Sequence, residues 1–351
     1  MEKNWFQKIV GLKDKDFSMI SVEFFKKITS VIGTIFILIV FYVCFEIYVP
    51  LNPGSHETVI FTVQKGWSDN DIADNLKNLK LIRSSYFFNF YSVLSLKHSS
   101  LQAGEYNFSS KMSIYDIASK IANGDVIRDQ LVILEGWKIR DIGKYLESKG
   151  ICSQNYFISL TTKGYSDEFS FLDDKPKSAD LEGYLFQDTY EIAKGVTCED
   201  AITAMLDNFD KKLTPDMRAD IKNQKKSIFD IITAASMIEK EVKILDDKKI
   251  VSGILWKRLA INMPLQIDST IVYITGKNSV SIADTKIDSP YNTYKYYGLP
   301  KGPISNPGID SITAAIYPKK TNYWYYLSDG KTIFSETLDQ HNVAKARYLG
   351  D

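Results

Sequence analysis

Gly66-Trp-Ser-Asp-Asn-Asp-Ile-Ala-Asp-Asn-Leu76 and Gly136-Trp-Lys-Ile-Arg-Asp-Ile-Gly-Lys-Tyr-Leu146 repeat Gly-Trp, Asp-Ile and Leu at a constant offset of 70 residues. Each copy follows a β-rich segment, turns at Gly-Trp, and enters a stretch whose apolar residues recur about one helical turn apart. Upstream, Thr58-Val-Ile-Phe-Thr-Val63 reads as a strand behind the short linker Leu51-Asn-Pro-Gly-Ser55. Between the copies, Gly104-Glu-Tyr-Asn-Phe108 and Ser113–Ile121 add a strand and a helix, stopped by Asn123-Gly124. Short strands alternating with helices predict an α+β fold assembled from small strand–helix units.

Units of this kind resemble the glycan-binding LysM-like modules of cell-wall proteins. The resemblance implies one such module over residues 50–125, with a further repeat-like unit at about 130–150 opening a mixed α+β domain over 126–351. Trp67 and Trp137 either face a sugar or cover the sheet; an aromatic after a turn glycine is more often packed.

Before the first copy, 18 uncharged residues run from Ile28 to Phe45. As a helix they extend about 27 Å, close to the thickness of a bilayer's hydrocarbon core. A cleavable signal peptide is the competing reading, but the charged stretch ahead of the run is long and no small-x-small site follows Phe45. A buried soluble helix is the other alternative. The segment 28–49 is therefore expected to span a membrane. Residues 1–27 hold six Lys (3, 8, 13, 15, 26 and 27) against Glu2, Asp14, Asp16 and Glu23, a net charge of +2, with Lys26 and Lys27 abutting the apolar run. Flanking lysines of this kind predict a cytoplasmic N-terminus and an exterior bulk.

The 351 residues balance 43 Lys+Arg against 43 Asp+Glu, which removes the basic footprint of a protein that coats nucleic acid. At 44% hydrophobic and 13% aromatic residues the chain is no disordered polymer. Cys44, Cys152 and Cys198 are scattered without a CxxC pair, so neither zinc nor a disulfide framework is expected. His56, His98 and His341 are isolated, there is no HExxH, and no glycine loop follows a strand to cradle phosphate, so no cofactor is expected.

Four segments of the second half stand out: Leu181-Glu-Gly-Tyr-Leu-Phe-Gln-Asp-Thr-Tyr190, Ala234-Ala-Ser-Met-Ile-Glu-Lys-Glu241, Pro264-Leu-Gln-Ile-Asp-Ser-Thr270, and Ser289-Pro-Tyr-Asn-Thr-Tyr294 continuing to Gly298–Gly308. The second lies on a helix expected over Ser227–Val242, with Ser227 as N-cap. Ile232, Ala235 and Ser236 share the face of Glu239, so its carboxyl is expected to be partly desolvated and suited to general-acid work. An exposed pair with Lys243 is the structural alternative. Glu241, two residues on, points elsewhere and serves another task. Glu182 and Asp188 either line a groove or bond local backbone. Gln266 and Asp268, ahead of the β-branched run Thr270–Tyr273, are read as a polar pair at a strand entrance: a substrate clamp or a cap. Tyr184, Tyr291, Asn292, Tyr294, Tyr296 and Tyr297 offer flat faces and polar groups suited to a sugar. Farther on, 322–335 reads as a hairpin turning at Asp329-Gly330, with His341 in a terminal helix.

These segments, in this order and with the apolar run and LysM-like region, resemble the endolytic murein transglycosylases of the YceG-like family. Gln187 stands where that family commonly has Pro, and Ser269 where Asp-Pro-Thr is usual. The resemblance implies an enzyme, a lytic transglycosylase of the bacterial inner membrane. It would cleave the β-1,4 bond between N-acetylmuramic acid and N-acetylglucosamine in nascent strands, leaving 1,6-anhydromuramyl ends. It implies Glu239 as the catalytic residue, and Glu182, Tyr184, Gln266, Asp268, Tyr291, Asn292 and Tyr294 as substrate-binding candidates. Peptidoglycan is the partner, with wall-synthesis enzymes of the same membrane as further candidates. A hydrolase needs a second carboxylate. A lytic enzyme manages with one group that acts first as acid and then as base, and no partner carboxylate for Glu239 stands out. A membrane-tethered scaffold that binds glycan without cutting it is the alternative from another class.

Overall fold

The structure, a computed structural model, describes residues 14–96, 100–329 and 331–348. The tail's charged residues up to Lys13, His98 and the hairpin's Gly330 lie outside them. Two compact units divide the chain, 1–128 and 129–351.

The first unit opens on helix α1 (Asp14–Tyr48), whose stretch Lys26–Tyr48 is long and apolar enough to cross a membrane. Phe36, Ile37 and Leu38 are each more than 60% exposed, so this surface has no protein core to enter. Beyond it, β1 (Val59–Val63) pairs antiparallel with β2 (Gly104–Phe108), Phe61 opposite Tyr106. Alternation along both strands buries Phe61, Val63, Tyr106 and Phe108 on one face. Helices α2 (Asp69–Asn78), α3 (Ser85–Leu94) and α4 (Ile114–Asn123) supply the other half of that core through Ile72, Leu76, Phe88 and Ile117. Ser68 starts α2 by accepting from Asp71 N–H while Asp71 accepts from Ser68 N–H, a reciprocal cap that Ser113 and Asp116 repeat on α4. Gly124 ends α4 in the left-handed conformation that its missing Cβ permits. Trp67 is half-buried against the ring of Phe61.

The second unit begins with the same succession. Strand β3 (Arg128–Val132) leads through Gly136-Trp137 into α5 (Ile139–Ser148) and α6 (Gln154–Thr161), and pairs with β4 (Thr189–Ala193). Then come α7 (Cys198–Lys212), α8 (Pro215–Asn223), α9 (Ile228–Glu241), α10 (Leu245–Ala260), α11 (Asp268–Thr275) and α12 (Ile309–Ile316). The hairpin of β5 (Tyr325–Asp329) and β6 (Lys331–Ser335) and the closing helix α13 (Leu338–Tyr348) complete the unit. α9 is its central element: every residue from Ile231 to Ile238 is buried.

Two expectations fail. The run Thr270–Tyr273 is helical, within α11. Asp268 stands in the first turn, Thr270 Oγ1 bonds back to Ile267 O and to Thr293 Oγ1, and Gly276 closes the helix, so tertiary contacts outweigh β propensity. And the cysteines do not all stay free: Cys152 and Cys198 are joined in a disulfide, their Cα atoms 6.0 Å apart. Separation by 46 residues hid the pairing, because only folding brings the start of α6 to that of α7.

Candidate active site

α9 is fixed at its start by Ser227, which caps Asp230 N–H, and by the Asp174 carboxylate, which accepts from Ile228 and Phe229 N–H at 2.6 and 3.2 Å. Burial pushes the Asp174 carboxyl above its ordinary value. At the far end stands Glu239. A carboxylate in the last turn opposes the helix dipole, and the fold answers by presenting it with the start of a second helix. Gly308, the N-cap of α12, donates its N–H to Glu239 Oε2 at 3.0 Å, and Ser311 Oγ donates to the same oxygen at 2.6 Å. Lys248, almost fully buried on α10, adds its ammonium at 3.1 Å. Three donors thus converge on Oε2 and Lys243 is not among them. Among the described residues, Oε1 has no hydrogen-bond partner.

The loop 298–308 reaches this place because Ser236 holds it: Ile304 N–H donates to Ser236 Oγ at 3.0 Å and Ser305 Oγ to Ser236 O at 3.1 Å. Asn306 then ties three segments together. Its Oδ1 accepts from Gly183 and Leu185 N–H, its Nδ2 donates to Trp137 O and to Glu182 Oε1, and its backbone exchanges hydrogen bonds with Gly136 and Trp137. The second Gly-Trp turn is thereby laid against the end of α9. A Cβ on Gly136 would stand 3.6 Å from Glu239 Cγ and 3.5 Å from Lys240 Nζ.

That turn carries Glu135, which the sequence did not single out. A Cβ on Gly308 would stand 2.4 Å from Glu135 Oε1, so Glu135 and Glu239 meet the same N-cap glycine. Burial first, then the charge of Glu239, raises the Glu135 carboxyl above its ordinary value, with Lys248 opposing. Glu239 does have a carboxylate neighbour, 104 positions upstream, which no local pattern announces. Gln187 bears on it too, its Nε2 lying 3.5 Å from Glu135 Oε1.

The remaining candidates separate into two groups. Glu182 is buried, its two oxygens accepting from Ile139 N–H at 3.1 and 3.2 Å, and burial with Asp180 nearby holds its carboxyl well above the ordinary range. Tyr184 lies in the core against Phe171 and Phe209. Asn292 is buried and staples its loop, donating to Thr285 O and Ile287 O and accepting from Tyr294 N–H. None of these three presents itself to a substrate: the apolar and Gly-containing context that suggested a groove is packing. Asp188 bonds Thr189 N–H and Asn208, the local role. Tyr291 packs half-buried on Tyr273. By contrast, Gln266, Asp268 and Tyr294 line one cavity of about 1030 Å³, shared with Lys138, Lys240 and Glu241. There Tyr294 hydroxyl is bonded to Asp268, and Tyr326 hydroxyl donates to Glu241 Oε2 at 3.1 Å. Burial raises the Glu241 carboxyl. Glu239 and Glu241 therefore face different surroundings, as their 200° separation on the helix requires. Among the described residues no cluster of three or more His, Cys, Asp or Glu is placed to ligate a metal.

Known proteins match this chain along most of its length. The model of the YceG-like family covers residues 61–347. An endolytic murein transglycosylase of Bacillus subtilis (strain 168) is 34% identical over 316 residues, spanning 86% of this chain and 87% of that protein. A protein of the same name from Streptococcus pneumoniae serotype 2 (strain D39 / NCTC 7466) is 31% identical over 330 residues, 84% of this chain and 60% of its own length. A crystal structure of a YceG-like protein from Listeria monocytogenes superposes with a TM-score of 0.57 at 32% identity, over 83% of this chain and all of that one.

Proposed function

The chain belongs to the YceG-like family, and from that premise we propose that it is a membrane-anchored endolytic peptidoglycan transglycosylase with Glu239 as its catalytic residue. The observation that carries the reading is the one-sided clamp on Glu239: Oε2 is held by Lys248, Gly308 and Ser311, while Oε1 is left to a substrate. A carboxyl fixed through one oxygen keeps the other in a constant position, which proton transfer demands.

In the proposed reaction a proton passes from Oε1 to the glycosidic oxygen as the bond from C1 of the muramyl residue breaks. The substrate's acetamido group relieves charge at C1. Glu239, now a carboxylate, takes the proton of the C6 hydroxyl as that oxygen closes on C1. No water enters, and the cut strand ends in a 1,6-anhydro ring. That Gln266, Asp268 and Tyr294 line the neighbouring cavity supports a role for them in orienting the strand. The first unit, with its succession β1–α2–α3–β2, is read as a LysM-like glycan-binding module. α1 is read as a single span of the cytoplasmic membrane, N-terminus inside, which puts the site where strands are polymerised and where wall-synthesis enzymes work.

One observation favours a second reading. Glu135 beside Glu239 supplies the additional carboxylate that hydrolysis needs. Incubating the full-length protein with purified sacculi and analysing the ends by mass spectrometry separates the two: anhydromuramyl ends support the transglycosylase, reducing ends the hydrolase, and no new ends the non-catalytic scaffold. Glu239→Gln turns its amide oxygen to Lys248, Gly308 and Ser311 and puts an NH2 where Oε1 stood, which serves neither as acid nor as base, so kcat is expected to fall about a thousandfold. Undiminished cleavage by that variant would remove the mechanism.

A further inference from the structure

We propose that the cavity beside Glu239 binds the acidic peptide branching from the muramyl residue, with Lys138 and Lys240 holding a carboxylate of that peptide. The proposal rests on the reading of the substrate as peptidoglycan and adds to it a second point of recognition.

Two ammonium groups line the cavity, and among the described residues neither is ion-paired, although Asp141 and Glu182 lie near enough to Lys138 to act on its charge. Lys138 comes from the Gly-Trp turn and Lys240 from the last turn of α9, and both line the same space. Among the described residues neither makes an ion pair: Lys240 Nζ donates to Gly136 O at 3.3 Å, and Lys138 Nζ stands 5.1 Å from the centre of the Tyr273 ring. Burial lowers the Lys138 ammonium from its ordinary value, with Asp141 opposing and Lys240 adding to the fall. Like charges brought together in a partly desolvated place need an anion between them. The cavity's own acids are bonded elsewhere, Glu241 to Tyr326 and Asp268 to Tyr294, and among the described residues neither is paired with these lysines.

The place suits a branch. Lys240, which lines the cavity, follows Glu239 directly in the chain, and a Cβ on Gly136 would stand 3.5 Å from Lys240 Nζ and 3.6 Å from Glu239 Cγ, so the cavity's wall adjoins the reacting group. The peptide leaves the muramyl ring through its lactyl substituent, close to the bond being cut. A space of about 1030 Å³ stands at the upper end of small-ligand sites, more than a sugar ring fills. Val272, Val280, Ile282 and Leu327 offer apolar wall for methyl side chains, while the two lysines take a carboxylate.

The test compares two glycan substrates with the full-length protein in detergent: strands with native peptides, and the same strands after their carboxylates are capped as methylamides. For the wild type, capping is expected to raise KM about tenfold and leave kcat within twofold. Lys138→Gln and Lys240→Gln should show the higher KM on both substrates, and Lys138→Arg, which keeps the charge, should restore the difference. A wild type indifferent to capping overturns the proposal, as do Gln variants that still discriminate or that lose kcat alone. The parent reading fails differently. If Glu239→Gln remains active the assignment of the acid falls, and if the wild type releases reducing ends the chemistry falls, while the effect of capping on KM still decides the peptide site.

Discussion

The two Gly-Trp copies differ in who satisfies their backbone. Residues 59–94 and 128–161 share strand, turn and two helices, and even the turn bonds agree: Trp67 N–H to Gln64 O at 3.2 Å, Trp137 N–H to Leu134 O at 3.3 Å. In the first copy the start of α2 is closed by its own residues, Ser68 and Asp71. In the second, Asp141 still accepts from the N-cap N–H, but Lys138 occupies the place of Ser68 and has no side-chain acceptor to return the bond. The first N–H of α5 goes instead to Glu182, and the turn's carbonyls go to Asn306 and Lys240. The second copy has also grown. Residues 95–103 separate α3 from β2, whereas 162–188 separate α6 from β4, and the longer connection delivers Glu182. A turn whose polar groups are tied to distant segments ceases to be an independent motif and becomes a wall of the site.

The comparison can be broken at several points. The disulfide exists only in the second copy, where Cys152 stands 70 positions after Ile82, a buried residue of the first. Closing a loop of this length restricts the unfolded chain by about 4 kcal/mol. Reduction, or Cys152→Ser with Cys198→Ser, should therefore lower the unfolding transition of the second unit and leave that of the first in place, as separate calorimetric transitions can report. Asn306→Ala comes next. It strands the N–H groups of Gly183 and Leu185 in a buried place and takes one of two donors from Glu182 Oε1, expected to cost about 3 kcal/mol and to reduce kcat by displacing the turn that bears Glu135. Equal stability of that variant would mean that the three segments are held by packing alone.

Glu182→Gln probes the same tie through pH. The Glu182 carboxyl is raised above 4.5 in the folded unit, so the fold binds a proton that the unfolded chain has released. Its contribution is fully present below the unfolded value and is lost as pH rises through the folded one. The wild type should therefore lose melting temperature relative to the variant as pH rises from acid towards neutrality, the other shifted carboxyls, Glu135, Asp174 and Glu241 among them, acting alike in both. Ser68→Ala, the smallest change, removes a self-contained cap: about 1 kcal/mol from the first unit and nothing from kcat. A loss of activity there would tie the first unit to the chemistry more closely than its bonding implies.

Much of this was legible in the chain. The offset of 70 announced two like units because Gly at the turn, Trp after it and Ile and Leu one helical turn apart are local requirements. Ser227 as N-cap, Gly124 as stop and Glu239 on a small-residue face followed from spacing, and the family resemblance pointed to the same carboxyl. What escaped was non-local. Tyr184 and Asn292 looked like substrate residues because aromatic and polar side chains in a Gly-rich loop serve packing and binding alike, and only burial tells them apart. Glu135 escaped because a lone acid before a turn has no pattern. Thr270–Tyr273 became a helix because Thr293, arriving from another loop, bonds it.

The sequence by itself determined the apolar run, the repeated strand–turn–helix units, their caps, and the one helix whose face suits a buried acid, since each depends on residues within a turn or two of one another. Only the tertiary structure decided which oxygen of Glu239 is held and which, among the described residues, has no partner. It also decided that Glu135 shares Gly308 with Glu239, that Glu182 closes a helix start and that two lysines line one cavity with no ion pair among the described residues. Those outcomes depend on side chains brought from distant positions, and the charge and hydrogen-bonding capacity of a residue acquire meaning only from what stands opposite.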